Sequence, residues 1–281
     1  MADPLSAPGA AHPAIRRALI ATRFGQVHVR LSGSPHEDST PLVLLHMTPL
    51  SGAMYEPLLP GLGADRLVVA PDRLGFGFSD LPDRPLSMAE YARSTLDVLD
   101  ALGINQFDVL GTHTGSVEAT ELAWANPARV RKVVLVSLPA YTPAELEERR
   151  YRLSDAPPPA EDGAHLERSW RRRFLYRTPP YDLPMFQWRL LQELLAGSHA
   201  WWAYQAVFAY PMAARLKLLP QPVLVLAPHD DLWAQAERVY RTGGLPPHAR
   251  FVDLPHLGLD IATYATDEVA DLCRAFLDGG I

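Results

Sequence analysis

Cysteine is almost missing from this chain of 281 residues: Cys273 stands alone, so no internal disulfide can form. Its place in an amphipathic terminal pattern makes it a packing residue rather than a reactive thiol. Long apolar runs are missing too, and none approaches the ~18 residues that a membrane-spanning helix needs. The N-terminal stretch MADPLSAPGAAHPA lacks the basic-then-apolar layout of a secretory signal, from which a cytoplasmic protein is expected. Nor is there a surplus of positive charge. With 26 basic against 32 acidic residues the net charge is −6, which argues against nucleic acid or an anionic membrane as the main partner. Lysine is scarce, Lys132 and Lys217 being the only two, and nothing functional follows from that bias.

Proline, by contrast, is abundant, with 27 residues, close to twice the ~5% average usage. Its placement decides what the excess means. No proline falls between Pro85 and Pro127, a block with strong hydrophobic patterning, whereas Pro157, Pro158 and Pro159 come together. A proline-free block of that kind is a folded core, so disorder is excluded for most of the chain.

Alternating segments at 18–22 and 26–31, split by Phe24-Gly25, predict an antiparallel hairpin. Short apolar stretches at 42–45, 67–70, 107–110, 133–136 and 222–226, with a further stretch at 250–254, predict strands. Helical patterns lie between them at 87–102, 114–125, 233–241 and 267–277. Ser87 followed by Glu90 has capping-box spacing, and Gly103 ends that helix. This rhythm predicts an α/β fold with a mostly parallel sheet flanked by helices. Residues 1–15 read as a flexible tail, 16–138 and 220–281 as the core. Residues 139–219 break the rhythm, holding ten arginines and Trp170, Trp188, Trp201 and Trp202. They read as a helical cap inserted over one end of the sheet.

Ligands of an open parallel sheet bind at the carboxyl ends of its strands. There the sequence places His46-Met47-Thr48-Pro49, then Asp72-Arg73-Leu74-Gly75-Phe76-Gly77-Phe78-Ser79, then Gly111-Thr112-His113-Thr114-Gly115, then His229-Asp230-Asp231, and finally Pro255-His256-Leu257-Gly258. This series resembles the α/β-hydrolase superfamily, especially its branch of epoxide hydrolases, haloalkane dehalogenases and C–C hydrolases. The 72–79 stretch is similar to that branch's DRxGxGxS loop, and residues 46–49 to its HGxP loop. The resemblance covers roughly residues 18–138 and 220–280. It implies the α/β-hydrolase fold, with Asp230 as the acid after the next-to-last core strand and His256 as the histidine after the last. Asp231 remains open as an alternative to Asp230.

The departure is at the nucleophile elbow. The family pattern is G-x-S-x-G; here Gly111 and Gly115 stand, but His113 is at the centre. Histidine is among the non-glycine residues enriched at positive φ, so the turn is compatible with it. Ser116 lies inside the following helix and reads as a helix-surface or packing residue rather than a displaced nucleophile. An imidazole can attack an acyl carbon or act as acid or base near neutral pH. The resemblance would place His256 beside it, oriented by Asp230. The oxyanion-hole candidates are the amides of Met47, Thr48 and Thr114, with Met47 standing where the family loop carries glycine.

The remaining candidates have milder readings. His46 reads as structural or as a pocket residue, and the Asp72-Arg73 pair as a brace of its loop. Arg171-Arg172-Arg173 reads as a solvated helix face or a carboxylate site. Trp170, Trp188, Trp201 and Trp202 are pocket candidates that favour a hydrophobic or aromatic small molecule. His46, His113 and His256 with Asp230 are the residues to test for a metal, but all spacings are long-range and the fold needs none. No metal or cofactor is expected. Three readings stay open: hydrolysis of an ester, lactone or C–C bond; a lyase or cyclase using His113 and His256 as acid and base; and a ligand-binding homologue without turnover. A homodimer through an exposed cap or edge helix is compatible with the sequence, and no residue pattern compels it.

Overall fold

The computed structural model describes residues 13–153, 159–172, 174 and 183–279. The expected tail, up to residue 12, and parts of the expected cap lie outside the described residues. Eight strands form one sheet in the order β1-β2-β4-β3-β5-β6-β7-β8. They are β1 (Arg16–Thr22), β2 (Gly25–Ser32), β3 (Leu42–Leu45), β4 (Val68–Pro71), β5 (Phe107–Thr112), β6 (Val130–Val136), β7 (Val223–Pro228) and β8 (Arg250–Leu254). β1 and β2 form the hairpin and β2 meets β4 antiparallel; every other pairing is parallel. The mostly parallel sheet is therefore as the residue pattern predicts.

Helices fill the crossovers. A single turn, α1 (Leu59–Leu62), precedes β4; α2 (Met88–Ala101) precedes β5; α3 (Thr114–Ala125) joins β5 to β6. Between β6 and β7 come α4 (Pro143–Leu153), α5 (Ala164–Arg172), α6 (Leu183–Ala196), α7 (Ala200–Ala209) and α8 (Met212–Lys217). Then follow α9 (Trp233–Arg241), the turn α10 (Ile261–Tyr264) and α11 (Thr266–Leu277). The Ser87–Glu90 capping box is complete in both directions. No helix among the described residues is long and apolar enough to cross a membrane.

The period-2 pattern of the strands divides the interior in two. Val43, Leu45, Val109, Val133, Leu135, Val223 and Val225 face the layer of α2, α3 and α7. Leu42, Leu44, Leu110, Val134, Val136, Leu224 and Leu226 face the side of α11, where Cys273 is buried. Burial pushes the Cys273 thiol up to about 12, so it packs as an apolar group. With both faces covered, the strand ends are the free edge of the sheet, and the loops there carry the chemistry.

Candidate active site

His113 occupies a sharp turn between β5 and α3, at φ 52° and ψ −113°. Two glycines make the turn sterically feasible. A Cβ on Gly115 would run into the carbonyl oxygen of Leu45, and one on Gly111 into that of Gly115. The turn is held on both sides: the His113 amide donates to Val136 O at 2.9 Å, and the Ser116 amide to His113 O at 2.8 Å. Ser116 itself is buried, its hydroxyl donating to the carbonyls of Gly111 and Val136. It is a packing residue of the turn.

The His113 ring meets the loop after β7. Its Nε2 lies 2.9 Å from Asp230 Oδ2 and 3.9 Å from Asp231 Oδ1. Asp230 is therefore the bonded partner of the ring, and Asp231 the more distant acid. Because a carboxylate accepts, Nε2 carries the proton; Nδ1 has no partner among the described residues. Asp230 also accepts from Ser137 Oγ at 2.5 Å and from the Leu232 amide at 2.8 Å. Its side chain is 1% exposed and that of His113 14%.

Burial alone would push His113 toward its neutral form. The charge and hydrogen bond of Asp230, with Asp231 adding its charge, outweigh this and hold the imidazole above the ordinary histidine value. Burial likewise works against the Asp230 carboxylate, and the pairing with His113, Ser137 and the Leu232 amide still brings it below the usual range. The pair favours its charged form.

The loop after β3 supplies the opposite wall. Met47, Thr48 and Thr114 all line the cavity that His113 enters. The Thr114 amide, in the first turn of α3, has no intrahelical acceptor. His46 turns away: its Nδ1 donates to Met47 O and its Nε2 accepts from the Arg73 amide, both at 2.8 Å. Burial, with the Arg73 charge adding, drives its imidazole down to about 3, so it stays a neutral brace. Asp72 and Arg73 brace the same loops without pairing with each other. Asp72 takes His28, Arg30 and the amides of Gly52 and Phe78, while Arg73 bonds Glu118 and His46 O.

Several expected site residues are elsewhere. His256 does not reach the dyad. Its Nε2 pairs with Glu268 of α11 at 3.0 Å and its side chain is 58% exposed. The chain turns at 255–256, after β8, and brings Leu259 and Asp260 to the cavity wall instead. No triad of His113, Asp230 and His256 is assembled. His46 and His256, the other two histidines to test for a metal, are bonded elsewhere, to Met47 and Arg73 and to Glu268. His113, Asp230 and Asp231 do have ligand atoms within 4.8 Å of one another, the spacing of a metal set, yet hydrogen bonding already accounts for the closest pair.

None of the four tryptophans lines this cavity. Trp201 packs on Tyr204 and Phe208, Trp202 on His199 and Trp170 on Phe174. Trp188 lines a separate, more open cavity with Met185 and Thr263. The aromatic wall beside His113 is Tyr141, Tyr204 and Phe208, around a volume of about 230 Å³. Arg171 pairs with Glu167 of its own helix and Arg172 with Glu193; Arg173 is outside the described residues.

Ser137, Tyr141, Arg149, Arg189, Leu259 and Asp260 belong to the site or its wall without being candidates from the residue pattern. Ser137 carried a signal, since it directly follows a predicted strand; here it sits at φ 61° with its hydroxyl on Asp230. Arg189 and Asp260 form a buried ion pair between α6 and the loop after β8, which no local pattern announces.

The comparisons with known proteins agree with this architecture. The family described as alpha/beta hydrolase fold matches residues 40–258. A 2-hydroxymuconate semialdehyde hydrolase of Pseudomonas putida is 36% identical over 130 residues, covering 44% of this chain and 43% of that protein. The first curated relatives are thus matched over less than half of their own length. Carboxylesterase YbfK of Bacillus subtilis is 25% identical over 93% of this chain and 88% of its own length. A crystal structure of a hydrolase from Pseudomonas aeruginosa PA01 superposes with a TM-score of 0.78 at 23% identity, over 93% of this chain and 98% of that one. With the family matched over most of the chain, and its elbow, acid loop and sheet in place, the protein belongs to the alpha/beta hydrolase fold family.

Proposed function

We propose that the protein is an enzyme that hydrolyses an ester or lactone bond of a largely hydrophobic small molecule, with His113 as general base and no acyl-serine intermediate. The observation that carries this reading is the single hydrogen bond from His113 Nε2 to Asp230, which leaves Nδ1 as the free basic atom at the elbow. In this mechanism Nδ1 takes a proton from water as the hydroxide attacks the carbonyl carbon. The imidazolium so formed carries protons on both nitrogens and is stabilised by Asp230. The amides of Thr114 and of Met47 or Thr48 would hold the oxyanion. Nδ1–H then protonates the leaving oxygen, so no net proton is gained or lost. Ser137 and the Leu232 amide keep Asp230 ionised and aimed at Nε2. The apolar wall of Tyr141, Phe208 and Leu232 favours the body of a hydrophobic substrate.

The experiment is a screen of p-nitrophenyl esters and lactones with the natural protein, His113→Ala and His113→Ser, together with intact-protein mass spectrometry during turnover. The natural protein turns over at least one of them, and His113→Ala loses about 10²–10⁴-fold in kcat. An unaltered protein mass during turnover fits water attack, whereas an acyl adduct on His113 makes it a nucleophile instead of a base. If only His113→Ser gains activity, the hydrolytic reading fails; if His113→Ala keeps the activity, the role given to His113 fails. The charged state favoured by the pair supports a second reading, a lyase in which His113 is poised as an acid that protonates a substrate; an inert natural protein in the ester screen would leave that reading standing.

A further inference from the structure

The charged side chains around the cavity are not equivalent. Arg172 is neutralised by Glu193 at 3.1 Å, and Arg189 by Asp260. Asp231 lies on the His113 side, 3.9 Å from Nε2. Arg149 differs from these. It comes from α4, lines the cavity and lays its guanidinium on the ring of Tyr141, 4.5 Å from the centroid. Among the described residues no carboxylate pairs with it. The cavity thus carries an acid at Asp231, beside the dyad, and at Arg149, on Tyr141, a guanidinium with no carboxylate partner among the described residues.

We propose that Arg149 receives a carboxylate at the end of the substrate remote from the scissile bond, so that the substrate is an ester or lactone bearing a second, anionic group. For the reaction itself this rests on the hydrolytic reading above. The chemistry is that of guanidinium recognition. Stacking on Tyr141 occupies one face of the planar group and leaves its N–H edge for a bidentate bond to a carboxylate. Stacking also fixes the side chain, so less rotamer freedom is lost when the ligand arrives. The polarity sets the direction of binding. An anionic substrate is repelled from the Asp231 end and drawn to Arg149, which leaves its uncharged carbonyl for His113. A volume of about 230 Å³ restricts the ligand to a small molecule.

The test compares two esters of equal chain length, mono-p-nitrophenyl glutarate and p-nitrophenyl valerate, with the natural protein, Arg149→Gln and Arg149→Lys. The natural protein prefers the glutarate ester by about 10–100-fold in kcat/KM, the worth of a charge-assisted bond. In Arg149→Gln that ratio falls to about one, and Arg149→Lys keeps an intermediate ratio. Circular dichroism and thermal melts of both variants confirm folding. In parallel, glutarate itself is titrated calorimetrically into the same three proteins, and Arg149→Gln weakens its binding at least tenfold. A preference for the valerate ester, or a glutarate preference that survives in Arg149→Gln, overturns the proposal. If neither ester is hydrolysed, the hydrolytic reading falls and the glutarate titration still decides the anion site. Binding that depends on Arg149 upholds it, and absent or Arg149-independent binding overturns it.

Discussion

A histidine held at φ 52° carries backbone strain of about 1–3 kcal/mol, and the interactions of its ring and amide must hold it there. The Asp230 bond is the main one, and it makes the site sensitive to pH in a definite sense. His113 is raised above its ordinary value, so its contribution is complete below the unfolded pKa, about 6.5, and is lost as pH rises through the folded value. Asp230 is lowered, so its contribution is present above about 3.9 and is lost as pH falls through the folded value. The melting-temperature gap between the natural protein and His113→Gln should therefore be widest between about pH 4 and 6.5 and shrink on the alkaline side. Asp230→Asn removes the larger of the two acids that raise His113 and leaves burial, the largest influence, together with the Arg189 charge, opposed only by the charge of Asp231. An NMR titration of that variant should place His113 below its ordinary value. The acid limb of the rate profile, which reports loss of the base form, should move to lower pH with it. An unmoved limb would mean that another group is the base. His113 and Asp230 are legible in the sequence because each follows a predicted buried strand at the free edge of the sheet. His256 satisfies the same criterion and fails. Where a side chain points in a turn depends on the turn's dihedrals, and these send His256 to Glu268 and Leu259 to the cavity.

At the scale of elements, the geometry of the site depends on how closely α3 approaches β3. Gly115 is in contact with the Leu45 backbone, with no room for a methyl group. Gly115→Ala should force α3 away from β3 and cost about 3 kcal/mol in a urea unfolding titration. Activity should fall further than that loss explains, because the Thr114 amide and the His113 ring ride on the same turn. A stability equal to the natural protein would show that the contact is looser than described. The strands and the helices of the core are legible because their signals are local: four-residue apolar runs, a capping box at Ser87, glycines at the elbow. The helices between β6 and β7 give a different result. Their tryptophans announce an apolar layer, yet Trp201 and Trp202 turn to neighbouring rings while Tyr204 and Phe208 face the cavity. Which aromatic faces a ligand depends on helix rotation, and composition carries no record of rotation.

For the molecule as a whole, the helices between β6 and β7 are joined to the core by contacts far apart in sequence. Gln192 Oε1 accepts from the Ser51 amide and hydroxyl, and Tyr204 donates to Thr48 O. A buried charged link joins Arg189 to Asp260, each side chain 5% exposed or less. Such pairs are invisible to a reading along the chain, which explains why a mostly parallel sheet can be anticipated and the cavity wall cannot. Desolvating two charges offsets much of their attraction, so the pair is worth little net, but removing one partner leaves the buried charge of the other less compensated. Asp260→Asn keeps a residue type that tolerates φ 79° while removing the charge. Alone, it should destabilise by about 3–5 kcal/mol, as should Arg189→Met. The double variant should lose less than the two losses added, with a coupling of about 1–3 kcal/mol in a urea-denaturation cycle. Additive losses would mean that the two side chains act separately. In that case the hold of α6 on the core would rest on Gln192 with Ser51, and its position would not depend on the ion pair.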